Sequence, residues 1–226
     1  MSKTISIRKG LDIRLLGDAA KEIKEVPVST IACLSPTDFH GLIPKMVVKE
    51  GDQVKVGDVV FFDKKNERIK FVSPASGTIK QIVRAEKRKI VQVLIETDSQ
   101  QTCKKFDVKK ITDTSKEEML NLLLDSGIWP SFKQRPLDVV ANPNNEPRSI
   151  FISSFDSSPL APDYEFVLKE KMEQVQMGLN ALNKLAEGNV HLSNRKNSAF
   201  SKMENVNHHS FEGVHPVGNV GTQIHH

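Results

Sequence analysis

The stretch VVKEGDQVKVGDVVFFDKKNERIKFVSPASGTI, Val47 to Ile79, decides how the first half of this 226-residue chain is read. Gly51-Asp52 and Gly57-Asp58 punctuate it, and Pro74-Ala75-Ser76-Gly77 closes it. Glycine supplies a positive φ and aspartate bonds back to its own backbone, so each pair reverses the chain tightly. The runs between them, VKVGDVVFF, RIKFV and GTIKQIV, are short and apolar. Further out, KIVQVLIET alternates, with Val91, Val93 and Ile95 on one side and Ile90, Gln92 and Leu94 on the other. The basic turn RAEKRK joins it to GTIKQIV. Upstream, KTISIRKG and EVPVSTIACLSP are further strand candidates, the second closed by Pro36. Short strands at this spacing predict a small all-β sandwich or barrel.

Past residue 100 the pattern changes. TSKEEMLNLLLDSG predicts an amphipathic helix, with Ser115 and Glu118 as a capping box and Gly127 as its stop. RSIFISSF reads as a buried strand. PDYEFVLKEKMEQVQMGLNALNKLAEG reads as one long helix ended by Gly188, and NVHLS as the next strand. Val167, Met172, Val175, Leu179, Leu182 and Leu185 form the helix stripe, at spacings of three and four with a single five. Strand, helix, strand makes the second half α/β. The chain stops on GTQIHH after strand-like residues, so a longer protein is expected, although His225 and His226 also fit the remnant of a tag.

Composition excludes several classes. Apolar residues make up 38% and charged residues 27%, a globular rather than a disordered balance. A net charge of +4 does not demand nucleic acid, and one Trp and one Tyr are too few for a base-stacking platform. The two cysteines, Cys33 and Cys103, make no C-x-x-C, which argues against a disulfide framework, a zinc motif and an iron–sulfur centre and suits a reducing compartment. No signal-peptide core opens the chain, and no run approaches the ~20 apolar residues that span a bilayer.

The pattern E-G-D-x-V-x-x-G-D at Glu50 to Asp58, with Pro74-Ala75-x-Gly77 after it, resembles the lipoyl/biotinyl carrier family. That resemblance implies a barrel-sandwich hybrid. A carrier needs its lysine at the hairpin tip. The family's spacing, counted forward from Gly57, lands on Glu67; counted back from Gly77, it lands on Asn66. Asn66-Glu67 is therefore expected to be an ordinary polar turn, with Lys64 and Lys65 on the ascending strand.

A closer resemblance runs the length of the chain. It is carried by RKGLDIRLLG, Gly41, Pro44-Lys45-Met46, Val48 to Asp52, Phe62 to Asn66, Pro74 to Thr78 and Glu86-Lys87-Arg88. GIWPSFKQRP (Gly127 to Pro136) and GVHPVGNVGTQIH (Gly213 to His225) extend it. Together they resemble the A-subunit family of the sodium-translocating NADH:quinone oxidoreductases, related to the C subunit of the Rnf electron-transfer complex. Val217 and Gln223 stand where the family usually has Ala and His.

The resemblance implies a lipoyl/biotinyl-like β barrel-sandwich hybrid over residues 1–100 and a Rossmann-like α/β domain over 101–226, incomplete at its C-terminus. It implies a complex that oxidises NADH and reduces a quinone such as ubiquinone while exporting sodium. FAD, FMN, riboflavin and iron–sulfur centres are expected on other subunits. This chain is then expected to be a peripheral component at the cytoplasmic face of the bacterial inner membrane, held by partners, above all the membrane-embedded B subunit. Its role is scaffolding or quinone-proximal, with no catalytic, cofactor-binding or metal residue and no activity in isolation. Two alternatives stay open: a lipoyl/biotinyl-type carrier, and a nucleotide- or flavin-binding oxidoreductase domain.

The residues bear on the second alternative. A dinucleotide site needs a glycine-rich turn that lets phosphate reach a helix N-terminus. Here SIFISSF runs into residues 156–165, which include Pro159 and Pro162 but no glycine, and Asp156, Asp163 and Glu165 oppose a pyrophosphate. A quinone site needs an apolar cleft with one or two donors. Trp129, Phe132 and Arg135 offer that chemistry, against the plainer reading of a hydrophobic latch. His215, held by Pro216, is the histidine expected to face a partner or a quinone headgroup. Five of the seven histidines lie between His208 and His226 at spacings that fit no metal pattern, and are expected in loops. Lys87, Arg88 and Lys89 form a basic rim suited to anionic lipid or an acidic partner, or simply a solvated hairpin.

Overall fold

The computed structural model describes residues 4–17, 19–107 and 109–226. The first strands are β1 (Thr4–Ile7), β2 (Ile31–Leu34), β3 (Pro44–Met46), β4 (Gln53–Val54), β5 (Val59–Asp63), β6 (Asn66–Val72), β7 (Gly77–Arg84) and β8 (Ile90–Thr97). There follow α1 (Lys116–Asp125), β9 (Lys133–Gln134), β10 (Val139–Val140), β11 (Ile150–Ser153), α2 (Tyr164–Leu168) and α3 (Met172–Leu185). β12 (Val190–Arg195), β13 (Asn207–Gly213) and α4 (Val220–His225) complete the order, so the final residues form a helix. Two compact units emerge, one of Glu25–Lys110 with Thr114–Asn145, the other of Met1–Lys24, Ile111–Asp113 and Glu146–His226. The first strand goes with the α/β unit, and the α1 helix with its following loop goes with the β unit.

In the β unit, β2-β8-β7-β4 and β3-β5-β6 form two antiparallel sheets. The Gly-Asp turns form as their chemistry dictates. Asp52 Oδ2 accepts from Lys49 N and Asp58 Oδ2 accepts from Lys55 N, each at 2.8 Å, and Gly51 and Gly57 both adopt φ +90°. Val60, Phe61, Ile79, Val93 and Ile95 are fully buried, and Phe61 stacks on Phe71 with ring centroids 4.8 Å apart. Register shifts in the β7–β8 pair bring Ile90 into the core as well. Gly77 is required by close approach: a Cβ there would lie 2.0 Å from the Glu96 carbonyl oxygen. The capping box of α1 is complete, and Gly127 ends the helix at φ +73°. Ile128 N donates to Leu123 O and Gly127 N to Leu124 O, the Schellman pairing.

In the α/β unit, β1-β13-β12-β11 form one parallel sheet. One face is closed by α3, where Leu179 and Ala186 pack with Val190, Leu192 and Phe200. On the other lie Ile7, Phe155, Phe211 and Val217. The predicted single helix is two. Leu168 (φ −101°, ψ 5°) and Lys171 (φ −121°, ψ 18°) leave helical geometry and a one-turn 3-10 segment separates α2 from α3. The five-residue step of the predicted stripe, Val167 to Met172, marks Val167 as off the buried face, which runs instead through Leu168 at spacings of three and four on both sides of the break. Tyr164, Leu168, Met172, Val175 and Leu182 pack on the core, while Val167 is 52% exposed.

Candidate functional site

The lysine turn departs from expectation. Asp63 pairs with Asn66, so Lys64 and Lys65 are the tip of the β5–β6 hairpin, and Asn66-Glu67 begins the descending strand. Two local bonds explain it. Asp63 Oδ1 accepts from Lys65 N at 3.0 Å, closing an Asx-turn, and Lys64 N donates to Ile43 O at 2.8 Å. The irregular residues fall after the tip, because Phe62 pairs with Lys70 while Asp63 pairs with Asn66. That bulge offsets the count back from Gly77, while the count forward from Gly57 overshoots because the ascending strand reaches its tip sooner than the family spacing. Both lysines are exposed, and Lys65 Nζ donates to Gly41 O at 2.8 Å.

The loop after α1 is internally satisfied. Trp129 is buried, and its indole N–H donates to Ala141 O at 2.7 Å. Its ring meets Phe132 at 5.3 Å, and Ala141 N donates back to Phe132 O at 2.9 Å. Arg135 is exposed at the β9–β10 turn, 3.7 Å from Asp138. Ile128 and Leu137 beside it are 49% and 72% exposed.

His215 lies in the other unit, at the C-terminal rim of the parallel sheet. The four predicted contact residues are thus divided, with Trp129, Phe132 and Arg135 in one unit and His215 in the other. Around His215 the rim is closely bonded. Nδ1 contacts Ser157 Oγ at 2.9 Å, and Gly218 N donates to the same oxygen at 2.9 Å. The His215 backbone N–H donates to Asp12 Oδ1 at 2.7 Å, and its carbonyl accepts from Leu11 N at 3.0 Å. Sequence reasoning missed Asp12, Ser157 and Gln223. The dense polar run after β11, at the strand ends where α/β sheets place their sites, was the available signal for Ser157. Gln223 is buried and donates to Ser153 Oγ at 2.9 Å and to Val217 O at 3.1 Å.

The same rim is already occupied by carboxylates. Backbone and hydroxyl donors of Ser158, the backbone bond foremost, hold Asp156 below the usual carboxylate range. Asp163 caps α2, accepting from Glu165 N at 3.1 Å and Phe166 N at 3.2 Å. Its bond from Lys21 is the largest cause of its own lowered pKa. The amides that a phosphate would use at this helix therefore already serve a side chain.

The histidines expected in loops are partly strand residues. His208 and His209 lie on β13, beside His191, which lies on β12 as the strand reading of NVHLS has it. His208 Nδ1 meets the Asn194 amide at 2.9 Å, and Nε2 meets Met203 O at 2.7 Å. His209 Nε2 meets His191 Nδ1 at 2.9 Å, and burial, reinforced by His191 and His208, pushes His209 below the usual imidazole range. Among the described residues no three His, Cys, Asp or Glu side chains converge as a metal site. No described helix is long and apolar enough to cross a membrane.

Residues 5–98 match the family model described as the NqrA N-terminal barrel-sandwich hybrid domain, and residues 114–226 match the NqrA second alpha/beta domain. The chain is similar to the A subunit of the Na(+)-translocating NADH-quinone reductase of Saccharophagus degradans, at 38% identity over 98% of this chain and 50% of the relative. It is 37% identical to the protein of the same name from Yersinia pseudotuberculosis, over the same shares. With that of Marinomonas sp. it shares 37% identity over 97% of this chain and 50% of the relative. The chain thus spans about half the length of the curated relatives it matches.

Proposed function

The chain belongs to the NqrA family, and from that premise we propose that it serves as a peripheral, scaffolding part of a Na+-translocating NADH:quinone reductase. In this reading it carries no redox centre and is not catalytic alone. FAD, FMN, riboflavin and iron–sulfur centres sit on other subunits, and the chain sits at the cytoplasmic face of the membrane against the B subunit. The observation that carries the scaffolding role is the occupied rim of the parallel sheet. Asp163 takes the α2 amides, and Asp156 stands ionised beside them. A pyrophosphate would meet charge repulsion there, and the Glu165 and Phe166 amides already serve Asp163.

The Trp129 loop fits a partner contact better than a quinone cleft. The indole donor is committed to Ala141, whereas Ile128, Arg135 and Leu137 face outward. His215, with its backbone bonded to Leu11 and Asp12, fastens the segment after β1 to the loop after β13. A pull-down with the full-length protein from native membranes should recover flavin-bearing membrane subunits. The purified chain should be colourless and give no heat with NADH; near-stoichiometric flavin absorbance overturns the proposal.

A second reading rests on the exposed Lys64 at the hairpin apex, where a carrier lysine would stand. Intact mass from the native host separates the two: a lipoyl or biotinyl increment on Lys64 supports the carrier, and the unmodified mass removes it.

A further inference from the structure

The β7–β8 connection places five cations on one exposed surface. Arg84, Lys87, Arg88 and Lys89 follow one another around the turn, and the Arg84 guanidinium donates to Arg88 O at 3.3 Å. Lys49 joins them across a shallow hollow lined by Met46, Val47, Glu50, Ile82 and Arg84. Among the described residues none of the five makes a salt bridge, whereas Lys45 and Lys80 of the same unit are paired with Glu67 and Glu96. Glu50 and Glu86 are the acidic residues of the patch, and Glu50 is engaged by the Ile82 amide at 2.8 Å. Val47, at the edge of the hollow, is 55% exposed.

The backbone adds an independent observation. Lys87 and Arg88 are both left-handed, at φ +55° and +60°. Consecutive left-handed residues call for Asn and Gly, because a Cβ is disfavoured there. The chain instead holds two long cationic side chains in the disfavoured geometry, where they project from the apex. Strain retained at an exposed tip points to a use for the side chains themselves.

We propose that this turn is an electrostatic contact for an anionic lipid surface, with Arg84, Lys87, Arg88, Lys89 and Lys49 meeting headgroup phosphates and Val47 and Met46 reaching the interface. A protruding turn suits a broad, laterally mobile layer of phosphates better than it suits a single acidic peptide, for which the shallow hollow offers no groove. The proposal rests on the peripheral reading above, and it is tested separately. The 226-residue chain is mixed with phosphatidylglycerol-containing vesicles and with pure phosphatidylcholine vesicles, and the bound fraction is read by co-sedimentation. Binding is expected to the anionic vesicles alone. It should weaken as the Debye length shortens from about 30 Å to about 8 Å.

The double variant Lys87→Asn, Arg88→Gly removes two charges and relieves the backbone. It should melt about 3 °C higher and bind anionic vesicles roughly thirtyfold more weakly. A more stable variant that loses binding cannot be dismissed as misfolded. Equal binding to neutral vesicles, or unchanged binding by the variant, overturns the proposal. Absent vesicle binding with impaired recovery of membrane subunits by the variant also overturns it, and assigns the turn to an acidic protein face. Failure of the membrane pull-down with vesicle binding intact would count against the scaffolding reading and leave the lipid contact standing.

Discussion

The two units solve the pairing of backbone groups in opposite ways. The β unit is built of antiparallel pairs, and three of them, β5–β6, β7–β8 and β9–β10, are hairpins closed by short turns. The α/β unit is wholly parallel, and no two of its strands can be joined by a tight turn. It draws β1 from the far end of the chain and lays Thr4 beside Ser210. Antiparallel order can thus be specified a few residues at a time, by glycines and aspartates that act locally. Parallel order depends on crossovers and on which apolar face covers which. The difference says where each unit is vulnerable: the first at its turns and close approaches, the second at its helix–sheet packing.

The largest expected effect tests the first half of that contrast. In Gly77→Ala the new methyl would meet the Glu96 carbonyl at 2.0 Å, so β7 and β8 must part. A loss above ~4 kcal/mol is expected, by urea denaturation followed through Trp129 fluorescence. If the variant is nearly as stable as the parent, the β unit is not limited by its close approaches.

Next comes the helix that became two. Leu179→Ala removes a side chain only 4% exposed and should cost about 2–5 kcal/mol, whereas Val167→Ala should stay within about 0.5 kcal/mol. Equal costs at the two positions would mean that Val167, and not Leu168, belongs to the buried stripe. A smaller effect is expected at the α1 cap. Ser115→Ala deletes the acceptor for Glu118 N and should lower stability by ~1 kcal/mol in the same denaturation assay.

The smallest effect sharpens the comparison electrostatically. Glu118 accepts from Lys109 Nζ, the larger cause, and from Ser115 N, and its pKa falls from 4.5 to about 2. A depressed carboxylate stabilises the fold fully above pH 4.5, and that contribution is lost as pH falls towards 2. The residue is solvent-exposed, so added salt should shrink the effect. Glu118→Gln should flatten the acid limb of the stability profile in that window, and an unchanged limb would assign it to other carboxylates.

Much of the local structure was legible because its causes are local. Gly51, Asp52, Gly57 and Asp58 form the turns their chemistry requires, and Ser115, Glu118 and Gly127 cap α1. The alternation of β8 placed Val93 and Ile95 in the core. The five-residue step at Val167 was visible in the sequence, but that Leu168 takes the buried place, and that the backbone breaks at Leu168 and Lys171, appears only in the structure. The β5–β6 tip was misplaced because the ascending strand is shorter than the family spacing and a bulge lengthens the descending one, and neither is written in the residue order. At the sheet rim, Asp12, Ser157 and His215 meet only after β1 pairs with β13. No periodicity along the chain encodes that meeting.

Residue order alone therefore settled which segments turn, which alternate and where α1 starts and stops, since φ preferences and side-chain-to-backbone bonds act over a few positions. The partner of β1, the lysines at the hairpin apex and the filling of the parallel sheet's rim by Asp156 and Asp163 were decided by tertiary structure. Strand partners and register are chosen by which apolar surfaces bury one another, and that choice is made between segments distant in the chain.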